Sequence, residues 1–148
     1  MKFFFKMQLL LLTLFTSSVA FAADPISTAW HNNLAVKGYD TVAYFTDGKP
    51  AKGKKSFQTE WRGAQWRFVS QAHLDLFKQD PEKYAPQYGG YCAFAVANNQ
   101  LAGIDPTQFS VVEGKLYLNY NAKIQKQWLA NRDPFIDQAN QNWPTVLK

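Results

Sequence analysis

In the segment SFQTEWRGAQWRFVS, large apolar side chains stand at Phe57, Trp61, Trp66 and Phe68, with polar residues between them and Gly63 near the middle. Alternation on both sides of a turn predicts an antiparallel β-hairpin with one buried face. A second hairpin is written more plainly in QFSVVEGKLYLNY, where Phe109 and Val111 precede Glu113-Gly114 and Leu116 and Leu118 follow. Between the two the spacing changes. Leu74 and Phe77 lie three apart and Ser70 stands ahead of them as an N-cap, so residues 70–79 are predicted to be helical. Asp80-Pro81 ends that helix and opens another turn. Towards the C-terminus Ile124 and Trp128 lie four apart, which predicts helix over much of 121–143, divided in two at Asp133-Pro134. Gly38 and Asp40 mark a further helix start ahead of Tyr44 and Phe45, and TDGKPAKGKK reads as loop. Hairpins interleaved with short helices predict a compact α+β domain, not a parallel α/β sheet.

The N-terminus follows a different pattern. Lys2 and Lys6 precede the apolar run Met7 to Phe15, and small residues lead to Ala20-Phe21-Ala22. A charged start, an apolar middle and an A-x-A site describe a cleavable export signal. The run is far short of the roughly 20 residues that span a bilayer. The expected division is a signal peptide over 1–22, an N-terminal arm over 23–33 and one domain over 34–148. The leader is bacterial in style, so the periplasm is the expected address, with secretion as the alternative. No transmembrane anchor is expected after processing.

Composition adds little specificity. The net charge of +5 loses two units with Lys2 and Lys6. Lys49, Lys52, Lys54 and Lys55 form one basic cluster, best read as a solvated turn. No nucleic-acid-binding motif is present. The five tryptophans and seven tyrosines all fall after the leader and predict an aromatic core.

The common catalytic and cofactor motifs, such as G-x-S-x-G, H-E-x-x-H, the P-loop and C-x-x-C, are absent. Attention therefore falls on Cys92, the one cysteine, in APQYGGYCAFAVANN. It is either a small buried hydrophobe or a working thiol. If CAFAVA begins a helix, Cys92 lies near its N-terminus, where free amides and the dipole lower a thiol pKa. Gly89 and Gly90 permit close backbone approach, and Tyr88 and Tyr91 flank them, so these four residues are expected to line a site with Cys92. His73 is the best second metal ligand available, otherwise a helix-surface histidine. His31 reads as solvated and Asp40 as a cap or turn residue.

Three blocks occur in order: GYDTVAYFTDGKPAKG, then WRGAQWRFVSQAHLDLFKQDPEKYAPQYGGYCAFAV, then GKLYLNYN. Together they resemble the exported, single-domain branch of the YHS-domain family. Its pattern of an aromatic strand, a Ser-led helix with a phenylalanine, a proline and a tyrosine is matched by Trp66, Phe68, Ser70, Phe77, Pro81 and Tyr84. The resemblance implies kinship with TRASH-like metal-binding modules and a metal or redox setting, but no defined reaction. It also implies that some exported members carry selenium at the position of Cys92. The chain departs from the metal-binding pattern at RFVSQAHLDLF, where Val69 stands in place of a thiol and His73 is the remaining candidate ligand.

Two functions follow as expectations. One is metal handling, with a soft metal such as copper, or thiol redox work centred on Cys92. The other is a non-catalytic binding module that recognises a small molecule or partner protein through an aromatic groove.

Overall fold

The computed structural model describes residues 22–148. The expected leader, apart from Ala22, lies outside the described residues. The elements run α1 (Thr41–Thr46), β1 (Lys54–Trp61), β2 (Ala64–Phe68), α2 (Gln71–Gln79), α3 (Pro81–Tyr84), a 3-10 turn (Gln87–Gly90), α4 (Ala93–Ala97), β3 (Asp105–Val112), β4 (Lys115–Asn119), α5 (Ala122–Ala130) and α6 (Arg132–Asn142). Each hairpin forms its own two-stranded antiparallel sheet, and the fold class is α+β. No helix among the described residues is long and apolar enough to cross a membrane.

The first hairpin pairs Thr59 with Trp66 and Trp61 with Ala64. On β2 the alternation is strict: Ala64, Trp66 and Phe68 are buried while Gln65 and Arg67 are only half-covered. Phe77 of α2 covers that face, its ring stacked 5.0 Å from Trp66 and also 5.0 Å from Phe68. Aromatic faces of this size dominate core energetics. The second hairpin pairs Phe109 with Leu118 and Val111 with Leu116. Here alternation fails on β4, where Leu116, Tyr117, Leu118 and Asn119 are all buried. Helices α4 and α5 both pack on this strand, and Trp128 of α5 lies 5.4 Å from the Tyr117 ring. Phe94 packs against both apolar clusters and joins them.

Side-chain caps set most helix starts. Ser70 Oγ accepts from the His73 amide, Asp80 from that of Lys83 and Asn121 from that of Ile124. The C-terminal break differs from expectation. It falls at Asn131, whose φ of −145° leaves the helical region. Pro134 sits inside the first turn of α6, where its missing N–H has no intrahelical acceptor to lose.

The arm is docked on the body. The Ala23 amide donates to the Leu147 carbonyl at 2.7 Å and that of Ser27 to the Gly89 carbonyl at 2.8 Å, and Ile26 is buried. Gly89 is required there. It has a φ of +61°, and a Cβ would lie 1.8 Å from the Pro25 carbonyl oxygen.

Candidate binding site around Cys92

Cys92 follows the glycine turn and caps α4: its carbonyl accepts from the Val96 amide and its own amide donates to the Ala102 carbonyl, both at 3.0 Å. The residue is 1% exposed. Its thiol lies 3.5 Å from Asn119 Oδ1. The direction of that hydrogen bond can be deduced. Gln125 Nε2 donates to the Phe109 carbonyl and to Ser110 Oγ, which leaves Gln125 Oε1 to accept from Asn119 Nδ2 at 2.6 Å. Asn119 Oδ1 is then an acceptor, and the backbone N–H of Phe94 donates to it at 3.2 Å. The thiol must therefore be the donor, which requires it to keep its proton.

Two influences compete at the sulfur. Burial pushes the thiol pKa up, while the backbone amides of Ala95, Tyr120 and Phe94 pull it down; burial wins and the net direction is upward. A helix does start at Cys92, but its amides do not outweigh the loss of solvent.

Above the thiol opens a pocket of about 470 Å³. Phe94, Ala95, Ala102, Tyr120 and Ile124 wall it, and Asn98 and Gln100 add amides. Its size lies within the range of roughly 300–1,000 Å³ typical of small-molecule sites. Tyr120, 55% exposed, is its most accessible aromatic wall.

The other expected site residues lie elsewhere. Tyr88, Gly89, Gly90 and Tyr91 do not line this pocket. Tyr88 donates to Asn140 Oδ1 at 2.9 Å and Tyr91 to the Asp24 carbonyl at 2.8 Å. Tyr88 and Gly89 line a separate cleft, and Gly90, at a φ of +83°, is buried against Pro86 and Val36. Thus the stretch read as one site is divided between two concavities, because the chain reverses at the glycines.

His73 is likewise engaged away from Cys92. Its Nδ1 donates to Asp40 Oδ2 at 2.7 Å, and its Nε2 lies 3.4 Å from Thr46 Oγ1. Asp40 is wholly buried and accepts three further bonds, from the backbone amides of Val42, Ala43 and Val69. It is the cap of α1, as its position suggested, and it also ties α1 to β2 and α2. His31 is on the surface, its ring 5.5 Å from that of Trp30.

Among the described residues no group of three or more His, Cys, Asp or Glu side chains is placed to hold a metal ion. The Cys92 pocket offers one soft donor, whose polar neighbour is a hard amide oxygen. A Cu(I) thiolate centre calls for about two or three donors, so the described residues around Cys92 do not by themselves complete one. Asn119 and Gln125 were not singled out in the sequence. Neither carries a local signal, since a polar residue at a strand end or on a helix ordinarily faces water.

A small α+β domain with a buried thiol beneath an aromatic pocket is the class that fold and site define. Residues 42–88 match the family model described as the YHS domain, as the sequence resemblance implied. The match runs from α1 to the glycine turn, takes in His73 and stops short of Cys92. YHS domains are associated with metal handling, copper in particular. No curated protein and no solved structure matches the chain.

Proposed function

We propose that the protein is an exported, periplasmic binding module that takes a small, largely apolar molecule into the pocket above Cys92. The carrying observation is the pocket itself: about 470 Å³ walled by Phe94, Ala95, Ala102, Tyr120 and Ile124, with amides at Asn98 and Gln100 to orient a ligand. The leader in residues 1–22 supports export. In this reading Cys92 is a packing group and hydrogen-bond donor. The test is a titration of the mature protein with indole, followed by the methyl resonances of Ala95 and Ile124. Saturable shifts that vanish in Ala102→Phe, which fills the pocket, are expected. Absence of any saturable shift overturns the reading.

A second reading keeps the thiol as the working group, for copper handling or thiol redox chemistry. The YHS match and the downward pull of the Ala95, Tyr120 and Phe94 amides on the thiol pKa favour it. Bound there, a soft metal would take Cys92 as its one ligand from this pocket and need its remaining donors from outside the described residues. Titration with Cu(I) against a competing chelator, comparing parent, Cys92→Ser and His73→Ala, separates the readings. The binding module predicts three equal curves. Copper handling predicts loss in Cys92→Ser.

A further inference from the structure

The cleft that Tyr88 and Gly89 line lies apart from the Cys92 pocket and is assembled from four stretches of chain. The arm contributes Pro25 and Ile26, the β1–β2 turn Trp61 and Arg62, the α3 region and following turn Glu82 and Gln87, and the C-terminal stretch Trp143. Its volume is about 240 Å³, below the range of roughly 300–1,000 Å³ for drug-sized ligands and suited to one substituted six-membered ring.

Its charge is internally balanced. The Arg62 guanidinium lies over the Trp61 ring, 4.4 Å from the centroid, and donates to the Glu82 carboxylate. A guanidinium has five N–H donors and a carboxylate about four acceptor sites, so both retain hydrogen-bonding capacity while their charges cancel. A charged ligand would have to displace one member of the pair. A neutral ligand with hydroxyls can use both groups as they stand, and Gln87 adds an amide. The Tyr88 hydroxyl is turned away to Asn140, and Tyr88 itself is buried, so it backs the cleft. Trp143, half-buried, 6.1 Å from it and inclined at 62°, supplies the accessible ring surface. A ring with an apolar C–H face and a hydroxyl edge matches this combination of aromatic surface and neutralised ion pair.

We propose that this cleft binds one ring of a neutral saccharide. The Arg62–Glu82 pair reads the hydroxyls, Trp143 meets the C–H face with Tyr88 packed against it, and the docked arm forms the remaining wall.

The mature protein is titrated with glucose, N-acetylglucosamine, glucuronate and betaine, with Trp143 indole and Arg62 and Gly89 amide resonances as readout. The neutral sugars are expected to give saturable shifts at these three groups, with glucuronate and betaine weaker. Trp143→Ala should weaken sugar binding at least about tenfold, as for an aromatic anchor. Glu82→Gln, at an exposed side chain, leaves Arg62 uncompensated and should reverse the ranking, so that glucuronate binds more tightly than glucose. The proposal is overturned if no neutral sugar gives saturable shifts, or if the Glu82→Gln ranking equals that of the parent. Indole binding at the Cys92 pocket is read at different groups, so either site can fail without the other.

Discussion

Asp40 at the start of α1 and Asn119 at the end of β4 are both wholly buried, but the first is a carboxylate and the second an amide. Asp40 gathers four donors, three from backbone and one from His73. It holds α1, β2 and α2 together within and beside the stretch that matches the YHS domain. Asn119 passes a chain of single bonds from Gln125 through to the Phe94 amide and the Cys92 thiol. It holds α4 to the second hairpin and to α5. A buried carboxylate demands many partners because desolvating a charge is far more costly than desolvating an amide. Its node is consequently closed. The amide node is satisfied with fewer bonds and ends on a thiol at the floor of a pocket. The first node links three elements of the fold, while the second adjoins space that a ligand can enter.

Replacing each centre should break this contrast. Asp40→Ala orphans three backbone amides and the His73 ring at once, and an expected loss of about 3–5 kcal/mol would show as a lower urea midpoint. A loss under about 1 kcal/mol would mean that water enters the node and replaces the carboxylate. Asn119→Leu should cost less, about 1–3 kcal/mol, because it strands the Phe94 amide and Gln125 Oε1 but no charge. Equal losses for the two variants would erase the distinction between the nodes.

Alkaline pH sharpens the comparison at smaller amplitude. The Cys92 thiol is raised by burial in the folded state, so its stabilising contribution is complete below the ordinary thiol range. It is lost as pH rises from that range through the folded-state value. Tyr44 and Tyr88 are raised in the same direction, chiefly by burial, and extend the decline to higher pH. Urea midpoints should therefore hold through neutrality and fall in alkali, with the earliest part of the fall absent in Cys92→Ser. In step with this, iodoacetamide should modify Cys92 only at pH above that needed for a free thiol. Rapid modification at neutral pH would return the thiolate reading to the lead. The smallest effect is expected at Trp30, which is 97% exposed. Trp30→Ala should move stability by no more than about 0.5 kcal/mol.

Periodicity in the sequence located both hairpins and the helix behind Ser70, because each is governed by neighbours in the chain, whereas a helix start at Cys92 was only a condition that the structure meets. Asp40 was recognisable as a cap for the same reason. Its second oxygen, which reaches Val69 and His73, depends on contacts some thirty residues away and left no local trace. The same is true of Asn119: a polar residue ending a strand ordinarily faces water, and only the helices on both sides of β4 make it a buried hub. Pro134 misled because proline breaks a helix interior but is accommodated in a first turn. Gly89, Gly90, Tyr88 and Tyr91 were gathered with Cys92 by adjacency, yet a chain that reverses on positive-φ residues sends close neighbours to different sides of the fold. The YHS match ends at Tyr88, and the pocket is built from residues beyond it.

The bond from the Ala23 amide to the Leu147 carbonyl carries a practical consequence. The start of the docked arm and the last turn of the chain emerge side by side, next to the cleft that contains Trp143. If the protein is cleaved after Ala22, an affinity tag or fluorescent fusion at either end of the product would crowd that cleft, so ligand titrations would call for tag-free protein. Conversely, a short linker between these ends, with a new opening at the Glu113-Gly114 turn, would give a circular permutant. Its termini would then project from the tip of the second hairpin, leaving the cleft clear for immobilised binding measurements.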